Sequence, residues 1–207
     1  MGFGGAFIHS RTGLKTEYMG EKWLKLVRRA AEKLAGHGLE AYLYDEDRWP
    51  SGTCGGYVTE TKEFRAKYMT YFEVVSGDVA RESDNSGNGE EFEKPENFLG
   101  LFAVDFDGEA AKNYRKIATP SEKKENERVF AFYFDYMQPD SFYNGYTYAD
   151  TMNKAATERF IGLTHEKYFE AFGELFGTAI KGIFTDEPHR NPFLNGFGRK
   201  EKNAERE

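Results

Sequence analysis

At its two ends the chain alternates short apolar runs with amphipathic stretches, and it loses that alternation in between. Gly4-Gly5-Ala6-Phe7-Ile8-His9-Ser10 predicts a short strand, and Leu39-Glu40-Ala41-Tyr42-Leu43-Tyr44 a second. Between them Trp23, Val27, Ala30, Ala31 and Leu34 recur at helical spacing, so a helix is predicted over 20–35, stopped by Gly36 and Gly38. This makes one β-α-β unit, whose parallel strands point their C-terminal ends the same way. The order returns late in the chain. Tyr143 to Tyr148 predicts a strand ending at Ala149-Asp150, followed by a helix over 151–161. Thr164 then reads as the N-cap of a further helix to about Phe176, with Glu166 in its first turn and Tyr168, Phe169, Phe172 and Phe176 inward. Gly182 to Thr185 closes the series, stopped by Pro188, which cannot donate a ladder hydrogen bond and biases Glu187 toward an extended backbone.

Residues 57–142 interrupt this rhythm. Strands are predicted near 67–75, 98–107 and 128–137, with a charged turn at 119–127 and a polar, mobile loop at 76–95. We read this as an antiparallel β insertion growing from the loop after the second strand. The parallel strands, near 4–10, 39–45, 143–149 and 182–186, are four, whereas a full barrel needs eight and typically ~250 residues. With 207 residues, the expected fold is α/β: the first half of a (β/α)8 TIM-type barrel, about four βα units in one partial domain over 1–207. A charged tail at 196–207 is expected to fray.

Composition removes several function classes. The net charge of −7 comes without a basic patch, which argues against nucleic acid as a partner. Cys54 is the single cysteine, so no internal disulfide forms. One Cys and four scattered His offer no CxxC or HExxH spacing, so no zinc site is expected. No apolar stretch approaches the ~20 residues of a membrane helix, and no signal peptide is read at the N-terminus, so a soluble chain is expected. The Gly2-Phe3-Gly4-Gly5 run precedes its strand, whereas phosphate loops follow one.

The candidate chemistry lies where strands end. Phe184-Thr185-Asp186-Glu187-Pro188 and Tyr44-Asp45-Glu46-Asp47-Arg48-Trp49-Pro50 both run from apolar positions straight into carboxylates. In an α/β barrel such ends face the pocket. Acids beside an aromatic ring suit a sugar site, because acids transfer protons or grip hydroxyls while the ring packs on a pyranose face. Glu187 is the candidate general acid, against a role as helix cap or ion-pair partner. Strand alternation sends Asp186 to the opposite side, which favours a hydrogen-bonding role. Asp45, Glu46 and Asp47 either hold sugar hydroxyls, supply oxygens to calcium, or form a solvated acidic turn. Trp49 is either a sugar platform or a plug under the insertion. His9 and Arg11 end the first strand and share the rim, His9 being a ligand or a packed histidine. Asp150 and Asn153 either bind hydroxyls or serve the next helix, Asp150 as its N-cap. His37 and His165 are read as structural, and Cys54 has no partner to activate it.

Four motifs in order carry a family resemblance: Gly4-Gly5-Ala6-Phe7-Ile8-His9, Tyr44 to Gly52, Thr164-His165-Glu166-Lys167-Tyr168 and Phe184 to Pro188. Together the chain resembles the catalytic-barrel start of large bacterial glycoside hydrolases related to the family 106 α-L-rhamnosidases, often labelled family 2-like sugar-binding proteins. The resemblance implies hydrolysis of a glycosidic bond, with inversion. In related hydrolases the acid ends the fourth strand, often before a proline, as Glu187 does here. It also implies that later strands, accessory domains and the second carboxylate lie outside this chain. The competing expectations are a non-catalytic carbohydrate-binding module, or an inactive half-barrel that must pair with another chain to bury its open edges.

Overall fold

The computed structural model describes residues 2–75 and 96–189. The loop expected at 76–95 and the tail expected at 196–207 lie outside the described residues. The described chain divides into two compact units, 2–66 with 136–189 and 67–75 with 96–135. The divisions fall inside the 57–142 interval expected of the insertion.

The first unit carries three parallel strands in the order β1-β2-β7: β1 (Gly5–Ile8), β2 (Glu40–Tyr44) and β7 (Ile180–Phe184). Helix α1 (Glu21–Gly36) forms where the spacing predicts it, burying Trp23, Val27 and Ala31. Further on, α2 (Lys154–Ile161) runs through one π turn into α3 (Lys167–Phe172). These helices and one sheet face share a core of Ala41, Leu43, Val27, Phe160, Tyr168 and Phe172. The other sheet face is aromatic and partly open. Phe7 stacks on Tyr42 at 4.9 Å and meets Phe184 edge-on at 5.6 Å.

The second unit is a four-stranded antiparallel sheet, ordered β3-β6-β4-β5: β3 (Lys67–Val74), β4 (Phe98–Asp107), β5 (Ala110–Ile117) and β6 (Glu127–Tyr136). Alternate positions Leu101, Ala103, Val129 and Ala131 form its core. β5 was not expected, because an exposed edge strand with one buried residue shows no apolar alternation.

A three-stranded parallel sheet and a separate antiparallel sheet do not make a (β/α)8 barrel, whole or half, and that expectation is overturned. The deciding segment is 143–149. It forms no strand of the parallel sheet, because its hydrogen bonds go elsewhere. Ala66 N donates to Tyr148 O at 2.8 Å and Asp150 N to Phe64 O at 2.8 Å, around an antiparallel bridge between Arg65 and Ala149. β7 instead pairs directly with β2, matching Tyr42 with Gly182 and Tyr44 with Phe184.

Two helix expectations are also corrected. Thr164 is not an N-cap; it lies inside the π turn and its hydroxyl donates back to Phe160 O at 2.6 Å. Phe169 points outward, 65% exposed, while Tyr168 and Phe172 are buried. No helix among the described residues is long and apolar enough to cross a membrane.

Candidate functional site

Parallel pairing brings the C-terminal ends of β1, β2 and β7 to one rim, so His9, Asp45 and Thr185 are neighbours despite their separation in sequence. Ser10 ties the first two ends together, its hydroxyl meeting Glu46 O at 2.8 Å and Asp47 O at 3.0 Å. Ser51 ties the second to the third. Its N–H donates to Asp186 O at 2.9 Å, and Asp186 N donates to its hydroxyl at 2.9 Å.

The three acids after β2 build the rim rather than line it. Glu46 has no exposure, and its carboxylate accepts from the backbone N–H groups of Asp47, Gly52, Thr53, Cys54 and Gly55 and from the Thr53 hydroxyl, at 2.6–3.1 Å. Successive amides converge on it as on an anion held in a backbone nest. The glycines permit this curl. Gly56 sits at φ +108, and a Cβ there would fall 2.1 Å from the Tyr146 ring. Burial pushes the Glu46 carboxyl up to about 7, against the pull of the N–H donors.

Asp45, also without exposure, accepts from the Ser51 hydroxyl at 2.6 Å and the Thr185 hydroxyl at 2.6 Å, and lies 3.4 Å from His165 Nε2. Burial raises its pKa, and those two hydroxyls oppose the rise. Asp47 accepts from Arg48 Nε at 3.1 Å and Asn144 Nδ2 at 3.0 Å. Both carboxylate oxygens of Asp45 and Glu46, and Oδ2 of Asp47, therefore already accept from separate protein donors. Among the described residues no group of three or more His, Cys, Asp or Glu side chains is gathered to hold a metal ion.

Glu187 stands apart. Its carboxylate is exposed and accepts from Trp49 Nε1 at 3.2 Å. The Trp49 ring is 41% exposed and meets Phe142 edge-on at 6.4 Å and His189 at 6.0 Å. The extended backbone expected before Pro188 is not found: Glu187 sits at φ +42. A left-handed residue before proline is disfavoured on both counts, and such strain gathers at functional positions.

Asp186 keeps different company. Tyr44 OH points at its carboxylate from 3.4 Å, and the His9 ring lies tilted against Tyr44 at 4.3 Å. Burial, then the charge of exposed Arg11, lowers the His9 pKa, against the pull of Asp186. Burial likewise lowers that of His189, against the pull of Glu187. The buried Nδ1 atoms of both histidines lack a partner. Trp49, Glu187 and His189 thus form one group, and His9, Tyr44 and Asp186 another.

Asn153, not Asp150, caps α2: its side chain accepts from Ala155 N and Ala156 N. Asp150 Oδ1 accepts from Met152 N at 3.1 Å. Cys54 is buried and free, and burial drives its thiol far up, away from nucleophilic use.

Sequence reasoning missed Tyr44, Tyr148, His165 and His189 as rim groups. Tyr148 OH donates to Ser51 O at 2.8 Å, and its ring stacks on His189 at 4.5 Å. Tyr44, at the end of a predicted strand, and His189, two residues beyond Glu187, carried a sequence signal in their places at strand ends. His165 lies in the π turn, with its Nε2 3.4 Å from Asp45 Oδ2.

No protein-family model, curated protein or solved structure matches the chain. The functional reading rests on the chemistry of the rim.

Proposed function

We propose that the rim binds a saccharide and that Glu187 donates a proton to the oxygen of a glycosidic bond. The observation that carries this reading is an exposed carboxylate, at strained backbone, hydrogen-bonded by the indole of a partly exposed tryptophan. A glycosidase needs an acid that protonates the leaving oxygen as the C1–O bond breaks, and a surface for the sugar ring. Glu187 supplies the first and Trp49 the second, with the open Phe7, Tyr42 and Phe184 face beside the His9 and Tyr44 group. The mechanism also needs a second carboxylate. Asp45 and Glu46 are committed to the scaffold and Asp186 keeps to the His9 and Tyr44 group, so the second carboxylate is the one that the resemblance implies lies outside this chain. The motif order that resembles the α-L-rhamnosidases makes an α-L-rhamnoside the first substrate to try.

That commitment of Asp45 and Glu46 also favours a second reading, in which the rim binds sugar without cleaving it. A hydrolysis screen on aryl glycosides, run beside Glu187→Gln, separates the two. We expect turnover to fall about 10²–10⁴-fold in the variant while sugar binding persists. Unchanged turnover in the variant would remove Glu187 from the mechanism. Binding without turnover in the native chain would leave the lectin-like reading.

A further inference from the structure

Beside the rim lies a cleft of about 310 Å³, floored by Ser51, Ala149, Ala156, Phe160, His165 and Thr185. Thr185 and Pro188, which also line it, flank Asp186 and Glu187 in the chain, so the cleft adjoins the candidate acid.

The hydroxyl donors of its lining are already committed. The Ser51 and Thr185 hydroxyls donate to Asp45, and Ser51 Oγ also accepts from Asp186 N. Thr151 donates to His189 O at 2.8 Å and Thr157 to Asn153 O at 3.3 Å. The Thr164 hydroxyl gives its proton to Phe160 O, so it can only accept from His165 Nδ1, 2.9 Å away. His165 Nε2 faces Asp45. Nδ1 is engaged and Nε2 is turned toward Asp45, so the imidazole offers the cleft mainly its carbon edge or face. Asp150 brings an acceptor that disfavours an anion, and its Oδ1 already holds Met152 N. A sugar subsite needs convergent, available donors and acceptors. With those donors committed and Ala149, Ala156, Phe160, Ile161 and Pro188 lining it with carbon, the cleft favours an apolar body over a ring studded with hydroxyls. Its volume is about twice the ~150 Å³ that suffices for benzene in an apolar protein cavity.

We propose that this cleft takes a compact apolar group of aryl size, the leaving group of the glycoside that Glu187 protonates. The leaving-group role rests on the glycosidase reading above; the apolar binding site does not.

The experiment uses the full chain and 2-naphthol as probe, with binding followed by calorimetry. Saturable binding is expected, weakened about tenfold or more in Ala156→Leu, which fills the floor. Ile161→Glu, at a lining residue that is 39% exposed and tolerant of polarity, should weaken it similarly without threatening the fold. Native chain that binds no 2-naphthol, or binding unmoved by Ile161→Glu in folded protein, would overturn the site. In the turnover arm, naphthyl glycosides should show a lower KM than methyl glycosides of the same sugar, and Ile161→Glu should erase the difference. Equal KM values would overturn the leaving-group role. Naphthol binding with no glycoside cleaved would sink the glycosidase reading and the leaving-group role, and uphold the apolar site.

Discussion

At the scale of single residues, neighbouring carboxylates have opposite uses. Glu46 and Glu187 both follow a strand end. One is sealed under six donors and the other stands open beside an indole. The sequence places both at a rim, because an apolar run breaking into acids marks a strand end. It does not separate their uses, which depend on whether the following residues curl back. The Ser51-Gly52-Thr53-Cys54-Gly55-Gly56 run was the available sign, since glycines at this density let successive amides turn toward one point. Replacing Glu46 by Gln tests the scaffold role. An amide accepts on one atom only, so several N–H groups lose their partner. Urea denaturation should show a loss of about 2–3 kcal/mol. A change within ~0.5 kcal/mol, the range of ordinary surface substitutions, would mean the loop holds itself.

At the scale of elements, helix α1 and strands β2 and β7 were legible because their periodicity is local. The neighbour of each strand was not. Residues 143–149 have the composition of a strand, yet end in an isolated antiparallel bridge to Arg65, a choice that no window of sequence reveals. The barrel expectation failed on that single pairing. β5 escaped notice for the opposite reason, as an edge strand whose outward residues are polar. The start of α2 was misplaced by three residues, because Asp150 and Asn153 are both good caps by type. Geometry decides for Asn153, whose Oδ1 reaches two helix amides. Asn153→Ala should therefore cost about 1 kcal/mol in chemical denaturation, and Asp150→Ala should not reproduce a cap-sized loss of amide protection at Ala155 and Ala156. A hydrogen-exchange comparison of the two variants checks this directly.

At the scale of the whole molecule, burial of ionisable groups gives stability a pH dependence. Burial holds the Glu46 carboxyl at about 7, against 4.5 for the free group. The folded chain thus binds the proton more tightly than the unfolded chain. The resulting stabilisation, on the order of 3 kcal/mol, is complete below the unfolded value and is lost as pH rises through the folded one. His9 and His189 act in the opposite sense. Their folded values lie below 6.5, so their contribution is present above that pH and fades as pH falls through the folded values. They are only partly buried, whereas Glu46 has no exposure, and the buried glutamate dominates. Thermal melting should give a higher Tm at pH 5 than at pH 8, and Glu46→Gln should flatten that difference. An equally steep dependence in the variant would assign it to other groups.

Asp45 has a consequence for how this chain comes off the ribosome. Its carboxylate is closed by the hydroxyl of Thr185, 140 positions later, and β2 gains its second partner only when β7 emerges. At typical rates of synthesis that interval is about 7–28 s. Throughout it the nascent chain carries an apolar strand with one edge unpaired, and such an edge is a template for association with other chains. The rim is therefore among the last parts of its unit to close, and its acids are assembled only after nearly the whole described chain has been made.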